Sequence, residues 1–319
     1  MSQSALELTI ASREEQAEGI VVLDLVAPDG RPLPAFEAGA HVDVHIAPDL
    51  IRQYSLCGDP ADHTRYRLGI LRERESRGGS HAIHQRFLAG ERVRIGLPRN
   101  QFHLVADAGR SILLAGGIGV TPMLSMAYEL HARGREFDFH YCARSRRSAA
   151  FLSELERAGF RDRVRLHFDD EPEEQRLQLA RDLPAPSGGI QIYVCGPSGF
   201  MEWAISGARQ LGYPESQVHR EYFSAEVDTA GDAFEVVLAK SGRTIKVPGG
   251  TTIVKALADI GVKVDVSCEQ GVCGTCLCDV IEGVPDHRDS YLTGEEHEAN
   301  DQMTLCCSRS KTPRLVIGL

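Results

Sequence analysis

The chain has 319 residues, enough for two or three domains at about 100–200 residues each. Hydrophobic residues make up 42% and charged residues 25%, which excludes a disordered or fibrous protein. No apolar run reaches the roughly 18 residues of a membrane span, and the net charge of -10 argues against nucleic-acid binding, so we expect neither a membrane nor a nucleic-acid partner. Charged residues in the first 20 positions leave no room for a signal-peptide core, so we expect a cytoplasmic protein.

Residues 1–104 are predicted to form an antiparallel β domain. Short runs that alternate apolar and polar residues recur at 20–25, 41–46 and 66–70, and turns with Gly or Pro separate them. A short helix is predicted at 81–88. This spacing is typical of a barrel or a sandwich.

Residues 105–226 alternate between predicted strands and helices. The strands are predicted at 112–115, 137–143, 164–168, 191–195 and 219–223. The helices are predicted at 122–131, 149–158 and 199–211. Alternation of this kind predicts an α/β doubly wound domain with a parallel sheet.

The small polar stretch from Ala225 onwards indicates a linker, which we place at 227–233. Residues 234–319 then predict an α+β domain with a hairpin of strands 234–238 and 243–247. A short helix at 252–260 and strands at 277–281 and 315–317 follow.

Six of the nine cysteines lie in this last domain, at 268–307. The spacing Cys268-x4-Cys273-x2-Cys276, followed after 29 residues by Cys306, is typical of plant-type [2Fe–2S] ligation. A zinc site with four cysteine ligands usually pairs two C-x2-C segments, whereas this chain has one. Cys307 competes with Cys306 for the fourth position.

Other features surround the cysteine spacing. Gly271 and Gly274 allow the backbone to turn around a compact cluster. Cys278 lies two residues beyond the third ligand in a predicted strand, so we expect it in the core.

A glycine-rich segment, Gly116-Gly117-Ile118-Gly119-Val120-Thr121-Pro122, joins a predicted buried strand to a helix. Backbone N–H groups at such a helix start attract a pyrophosphate. Thr121 as N-cap and Pro122 as first helical residue also suit an ordinary helix start. The motif Cys195-Gly196-Pro197 ends a later parallel strand, at the edge where such sheets bind ligands, and strengthens the nucleotide interpretation.

Two weaker motifs lie in the β domain. Arg52-Gln53-Tyr54-Ser55 places a cation, an aromatic ring and a hydroxyl on one strand, although a half-buried edge strand has the same pattern. Arg77-Gly78-Gly79-Ser80 is typical of a backbone nest for an anion.

In their chain order, these motifs together with Glu221-Tyr222-Phe223 resemble the phthalate dioxygenase reductase family. That family includes vanillate demethylase reductase subunits and belongs to the ferredoxin–NADP reductase superfamily. The resemblance covers the whole chain. It implies an FMN-binding β-barrel at 1–104, an NAD(P)H-binding domain at 105–226 and a β-grasp [2Fe–2S] ferredoxin domain at 234–319.

The resemblance also implies site residues. The flavin residues are Arg52, Tyr54, Ser55, Ile70, Leu71, Arg72, Arg77, Gly78, Gly79, Ser80, Thr121 and Phe223. The nucleotide residues are Gly117, Gly119, Thr121, Pro122, Arg144, Cys195, Gly196 and Pro197. The cluster ligands are Cys268, Cys273, Cys276 and Cys306.

The implied roles are specific. Arg52 and the 77–80 loop would hold the FMN phosphate, and the backbone of 70–72 would line the pyrimidine edge. Tyr54 would pack on the flavin, Thr121 would lie beneath the ring and Phe223 would cover its other face. Ser55 near flavin N5 and Cys195 near the nicotinamide C4 would be catalytic, together with Phe223. FMN is favoured over FAD because the phosphate loop fits and no aromatic loop for an adenine is apparent.

The choice of nucleotide stays open. The resemblance to the family favours NADH. The segment Arg144-Ser145-Arg146-Arg147, however, lies where an acidic residue would bind the ribose 2′-hydroxyl of NADH. Its arginines could accept the 2′-phosphate of NADPH or be solvated.

The implied function is that of a monomeric reductase that passes electrons singly from NADH to a separate oxygenase with a Rieske centre and mononuclear iron. A reductase for another acceptor, such as a haem monooxygenase, and a [2Fe–2S] redox sensor are the alternatives. Seven acidic residues suggest either a docking surface or a solvated face: Glu282, Asp286, Asp289, Glu295, Glu296, Glu298 and Asp301.

Overall fold

The computed structural model describes residues 5–48, 50–223 and 227–319. The chain divides into two compact units, 1–221 and 222–319. Ala225 and Glu226, where the predicted polar stretch begins, lie outside the described residues. Among the described helices, none is both long and apolar enough to cross a membrane.

The first unit begins with an antiparallel sheet that closes on itself. Its elements are β1 (Ala5–Ala17), β2 (Ile20–Val26), β3 (Ala40–Ala47), β4 (Leu50–Ser55), β5 (Tyr66–Leu71), α1 (Gly79–Arg86), β6 (Arg92–Gly96) and β7 (Arg99–Asn100). The strand order is β4-β3-β6-β1-β2-β5, with β7 paired to β3. A bridge between Leu56 and Leu68 joins the two ends of this order, so the predicted barrel is confirmed. Inward-facing apolar residues of alternate strands, such as Val21 and Val42, are fully buried.

The same unit continues with a five-stranded parallel sheet. Its elements are β8 (Arg110–Gly116), α2 (Val120–Ala132), β9 (Phe137–Ala143), α3 (Leu152–Arg157), β10 (Val164–Phe168), α4 (Leu179–Asp182), β11 (Ile190–Cys195), α5 (Ser198–Gln210) and β12 (Val218–Glu221). Short 3-10 helices lie at Gly117–Gly119, Arg146–Ser148, Arg161–Arg163, Glu173–Gln175 and Glu215–Gln217. The order β10-β9-β8-β11-β12 reverses direction at β8, so β8 and β11 flank the switch point of a doubly wound sheet.

Three predicted boundaries in this part need correction. The helix after the glycine-rich segment begins at Val120, so Thr121 and Pro122 lie inside its first turn. The Thr121 hydroxyl donates to the Ile118 carbonyl (3.0 Å) and does not cap the helix. Phe151 has φ 64°, which delays the start of α3 to Leu152. Strand β12 ends at Glu221, so Phe223 lies beyond it.

The second unit holds a mixed sheet of order β14-β13-β19-β15-β17 and a small β16-β18 pair. Its elements are β13 (Phe234–Leu238), β14 (Thr244–Val247), α6 (Ile253–Asp259), β15 (Leu277–Glu282), β16 (Pro285–Asp286), α7 (Gly294–Ala299), β17 (Gln302–Thr304), β18 (Arg309–Ser310) and β19 (Arg314–Ile317). The predicted hairpin, helix and two strands are all present, and the α+β class is confirmed. Sequence reasoning missed α7, although the capping-box pattern of Thr293 and Glu296 is visible in the sequence.

The described part of the predicted linker is bound to the second unit. The Arg288 guanidinium donates to the carbonyls of Asp228 and Ala230, both at 2.8 Å. Buried Arg309 donates to the Asp232 carbonyl at 2.9 Å. The segment is therefore not the weakly attached connector that its polar composition suggests.

Candidate functional site

The four predicted cluster ligands converge in the second unit. Cys268, Cys273, Cys276 and Cys306 are each at most 6% exposed. Hydrogen bonds join the Cys268 thiol to those of Cys273 and Cys306, and lower the pKa of Cys268. A further thiol hydrogen bond joins Cys276 to Cys306. No disulfide involves these cysteines, so one contiguous group of thiols is available to a metal cluster.

Backbone N–H groups point at these sulfurs, as an anionic cluster requires. The Gly271 N–H donates to the Cys306 sulfur (3.2 Å) and the Gln270 N–H to the Cys268 sulfur (3.3 Å). Such bonds stabilise thiolates and tune the potential of an iron–sulfur centre. The donor set therefore fits a [2Fe–2S] cluster.

Two glycines make this loop possible, as the sequence indicated. Gly271 has φ 72°, and a Cβ there would collide with the Cys307 sulfur. Gly274 has φ 67°, and a Cβ there would collide with the Tyr291 ring. Both conformations and both close approaches therefore require glycine.

The structure distinguishes the remaining cysteines of this region. The Cys307 sulfur lies 3.1 Å from the Thr304 hydroxyl and 3.9 Å from that of Ser308, whereas Cys306 receives the Gly271 N–H. These contacts support Cys306 as the fourth ligand. Cys278 lies in the core cluster of the unit on β15, as expected for a packing residue.

The acidic segment is less uniform than its sequence suggests. The Asp289 side chain is fully buried, Asp286 pairs with Arg288 (2.6 Å), and Glu296 caps α7. These three acids therefore have structural partners, which reduces the charge available for docking.

In the barrel, Arg52 lies against the 77–80 loop. Its guanidinium donates to the Arg77 carbonyl (3.2 Å), and a Cβ on Gly79 would lie 2.6 Å from the Arg52 side chain. Gly78 has φ 90° and precedes α1, while the Ser80 hydroxyl donates to Ser76 (3.0 Å). The arginine and the helix start thus form one cradle suited to a phosphate.

The neighbouring strands hold the other predicted flavin residues. Tyr54 follows Arg52 on β4, and burial raises the pKa of its phenol. On β5, the Ile70 carbonyl lies 3.0 Å from the His84 ring, and the Arg72 N–H donates to Gly19 (2.7 Å). The Arg72 N–H, which was predicted to line the flavin, therefore already has a hydrogen-bond partner within the barrel.

The two glycine-bearing loops of the parallel sheet touch each other at the switch point. A Cβ on Gly119 would collide with the Cys195 carbonyl, and a Cβ on Gly196 would lie 2.9 Å from the Gly116 Cα. Gly117 has φ 54° with open space beside it. The contact places the ends of β8 and β11 together, where a doubly wound sheet binds its ligand.

Glu221, to which sequence reasoning gave no role, joins the two halves of this unit. Ser55 at the end of β4 donates to its carboxylate at 3.2 Å, although 166 positions separate them. On β12, Glu221 is the register partner of Cys195 on β11. Burial raises the pKa of Glu221 to about 8, and burial together with this carboxylate raises that of Cys195.

Of the arginines after β9, Arg144 is exposed. Arg146 lies 5.0 Å from the Phe168 ring and 3.8 Å from Glu171. Among the described residues, no ion pair involves Arg144. Phe223, which falls in the second unit, is 38% exposed.

Two family models match the chain. Residues 113–205 match the oxidoreductase NAD-binding domain, and residues 236–311 match the 2Fe-2S iron-sulfur cluster binding domain. These ranges contain the glycine-bearing loops and all four predicted cluster ligands.

The chain is similar to known proteins over nearly its whole length. It is 46% identical to a vanillate O-demethylase oxidoreductase of Pseudomonas sp. (strain HR199 / DSM 7063), covering 98% of this chain and 100% of that protein. It superposes on phthalate dioxygenase reductase, described as a modular structure for electron transfer from pyridine nucleotides to [2Fe-2S], with TM-score 0.76 and 36% identity over 99% and 98% of the chains.

A third likeness is to an intact type IV self-sufficient cytochrome P450 monooxygenase, with TM-score 0.87 and 38% identity. It covers 99% of this chain and 41% of that protein. The fold, the two family models and the full-length relatives agree. The chain therefore belongs to the family of vanillate O-demethylase oxidoreductase and phthalate dioxygenase reductase, as an iron–sulfur oxidoreductase with an NAD-binding domain.

Proposed function

We propose that this chain is the reductase component of an oxygenase whose terminal component carries a Rieske centre and mononuclear iron. It takes electrons from NADH and delivers them singly through FMN and a [2Fe–2S] cluster. The proposal is supported by one combination of features. The chain aligns with a vanillate O-demethylase oxidoreductase over 98% of its length, and it contains both a glycine-lined switch point and a group of four buried thiols. We further propose that the chain acts as a monomer in the cytoplasm.

The residues that would hold FMN lie in the barrel and at the start of α2. Arg52 and the 77–80 loop would bind its phosphate, because a guanidinium and a helix start meet there. Tyr54 on the same strand would pack along the flavin, and Thr121, whose methyl would lie 2.8 Å from a Cβ on Gly69, would support it from α2. When bound, FMN supplies the conversion of a two-electron hydride into single electrons.

The residues that would position the nicotinamide lie at the switch point. Gly117 leaves open space beside its backbone for the nucleotide. Gly119 and Gly196 allow the two loops to pack against each other, and Cys195 ends the adjacent strand. Glu221 keeps its proton at neutral pH because burial raises its pKa to about 8. A neutral Glu221 holds the Ser55 hydroxyl in place without adding a buried charge beside the reacting atoms.

Reconstitution tests the proposal. The purified chain, NADH and a purified Rieske-type aromatic demethylase oxygenase are mixed, and demethylated product is measured against NADH consumed. We expect product formation that needs all three components. A chain that reduces ferricyanide rapidly but supports no turnover with any oxygenase of this class would contradict the proposed partner.

The likeness to the self-sufficient cytochrome P450 monooxygenase favours a second candidate acceptor, a haem monooxygenase. The same preparation with a purified P450 tests it, with haem reduction read from the carbon monoxide difference spectrum. Faster electron delivery to the haem protein than to the Rieske oxygenase would favour this candidate. Absence of any NADH-driven bleaching of bound flavin would instead support the redox sensor.

A further inference from the structure

A second group of potential metal ligands lies between the third and fourth cysteines of the cluster loop. Nitrogens of His287 and His297 and an oxygen of Asp289 all lie within 4.8 Å of one another. The Nδ1 of His287 is 3.8 Å from Oδ1 of Asp289, and the Nε2 of His297 is 3.4 Å from Oδ2. The two imidazole rings stack with their centroids 4.4 Å apart.

His287 provides an independent observation. Its side chain is 6% exposed, and both ring nitrogens are buried with no hydrogen-bond partner among the described residues. The Oδ1 atom of Asn300 is buried in the same condition, and the Asn300 side chain lies beside the His287 ring. Buried polar atoms are nearly always satisfied, so these orphaned atoms point to a missing ligand.

The surrounding structure holds Asp289 in place. Its carboxylate accepts the backbone N–H groups of Tyr291 (3.2 Å) and Leu292 (2.8 Å) and the hydroxyl of Ser308 (3.4 Å). The capping box of Thr293 fixes the start of α7, which carries His297. Supporting bonds of this kind orient metal ligands in proteins.

We infer that His287, Asp289 and His297 bind one divalent transition-metal ion, with Zn²⁺ the best match. Two imidazoles and one carboxylate are ligands that Zn²⁺ prefers, whereas Ca²⁺ and Mg²⁺ require oxygen ligands. Asn300 or a water molecule would be the fourth ligand of the metal ion. No cysteine takes part, so the site is chemically separate from the four thiols.

Binding requires a small rearrangement. A metal bonds an imidazole nitrogen in the plane of the ring, so the stacked rings must splay. His297 is 30% exposed and has solvent into which it can turn. Zinc–ligand bonds of about 2.0–2.2 Å also require the three groups to move closer together.

The ion would clamp the segment behind the cluster loop. The Ser290 N–H donates to the Gly271 carbonyl (3.0 Å), and the Asp289 Cα would lie 3.0 Å from a Cβ on Gly271. A metal that joins 287–289 to α7 would therefore restrain the backbone against which the loop is packed. The site acts as a structural clamp in this unit.

Calorimetric titration with ZnCl₂ tests the inference. It uses untagged full-length protein, treated with chelator and shown by iron and sulfide analysis to retain its full cluster, so that no ligand thiols are exposed. We expect one Zn²⁺ per chain. His297→Ala should weaken binding by at least about tenfold, because loss of even an outer-sphere partner costs that much. His297 is chosen because its partial exposure makes the variant safe for folding.

His103→Ala is the matched control, since His103 is also exposed beside a carboxylate, 3.3 Å from Glu37. It should bind Zn²⁺ as the unaltered protein does. Zinc-edge X-ray absorption should show only nitrogen and oxygen neighbours near 2.0–2.1 Å and no sulfur near 2.3 Å. No stoichiometric binding, equal binding by the His297 variant, or sulfur in the zinc shell would each overturn the inference.

Discussion

At the residue scale, Glu221 has the property least visible in the sequence. The sequence shows an acidic residue at the end of a strand, but it does not show that this residue accepts a hydrogen bond from Ser55, 166 positions away. The pairing of Glu221 with Cys195 likewise depends on the β11–β12 register. The motif Glu221-Tyr222-Phe223 could be recognised in the sequence, whereas the environment that sets the pKa of Glu221 could not.

Glu221→Gln should therefore change stability in a pH-dependent way. The pKa of Glu221 is about 8 in the folded chain, whereas about 4.3 is usual for an unfolded chain. With the folded value raised, its contribution to folding is complete below about pH 4.3 and is lost as the pH rises to about 8. We expect the variant to be more stable by about 1–4 kcal/mol at pH 8 and nearly unchanged at pH 4.5, measured by urea unfolding.

Exposed Glu202 on α5 of the same unit is the matched control. Glu202→Gln should show no such increase with pH. If Glu221→Gln matches this control at both pH values, Glu221 is ionised in the folded protein and does not hold a proton at Ser55.

Arg144 tests nucleotide choice. We expect NADH to be preferred by the unaltered protein, and Arg144→Ala to lower kcat/KM for NADPH by about tenfold through loss of a charged contact to the 2′-phosphate. The value for NADH should change much less. Arg146→Ala is the control, because Phe168 and Glu171 already engage that guanidinium. A clear preference of the unaltered protein for NADPH would refute the prediction.

At the element scale, the strands could be predicted from the alternation of apolar and polar residues and from the turn residues between them. The start of the helix after the glycine-rich segment could not be predicted in this way. The sequence favoured Pro122 as the first helical residue, but a 3-10 turn at Gly117–Gly119 runs directly into α2 at Val120. The cause is tertiary, since Gly119 lies against the Cys195 backbone on another strand. Helix α7 was missed because it is six residues long and has no buried residue to create an apolar period.

Two glycines of this turn form a matched pair of variants. Gly119→Ala should destabilise the chain by about 1–3 kcal/mol and abolish flavin reduction by NADH, because its Cβ would collide with the Cys195 carbonyl and separate the two loops. Gly117→Ala should cost about 1 kcal/mol, since only its φ of 54° is unfavourable. Urea unfolding and anaerobic stopped flow compare them. Equal effects of the two variants would show that the loop contact is unimportant.

The cluster loop has a similar matched pair. Cys306→Ser should lose nearly all iron and sulfide, because Cys306 lies among the other ligand thiols and receives the Gly271 N–H. Cys307→Ser should keep the cluster, because the Cys307 thiol is held by the hydroxyls of Thr304 and Ser308 in addition to its contact with Cys306. Iron and sulfide analysis of both variants decides it. Loss of the cluster in Cys307→Ser and its retention in Cys306→Ser would show that Cys307 is the fourth ligand.

At the scale of the whole molecule, the domain order was legible because its motifs occur in a fixed sequence along the chain. The attachment of the linker could not be predicted in this way. Composition indicated a free linker at 227–233, whereas the Arg288 guanidinium binds the carbonyls of Asp228 and Ala230. Such contacts depend on Arg288, which is 58 and 60 positions away from the two carbonyls and which local composition does not reveal.

The central claim is that electrons leave through the cluster of the second unit. It is tested most directly by truncating the chain after Asp228, which keeps every proposed flavin and nucleotide residue and removes all four proposed ligand cysteines. The shortened protein should still bind FMN and oxidise NADH with ferricyanide at a rate similar to that of the full chain, because ferricyanide can take electrons at the flavin. It should form no product with the Rieske oxygenase. Full oxygenase turnover by the shortened protein would contradict the proposed electron path.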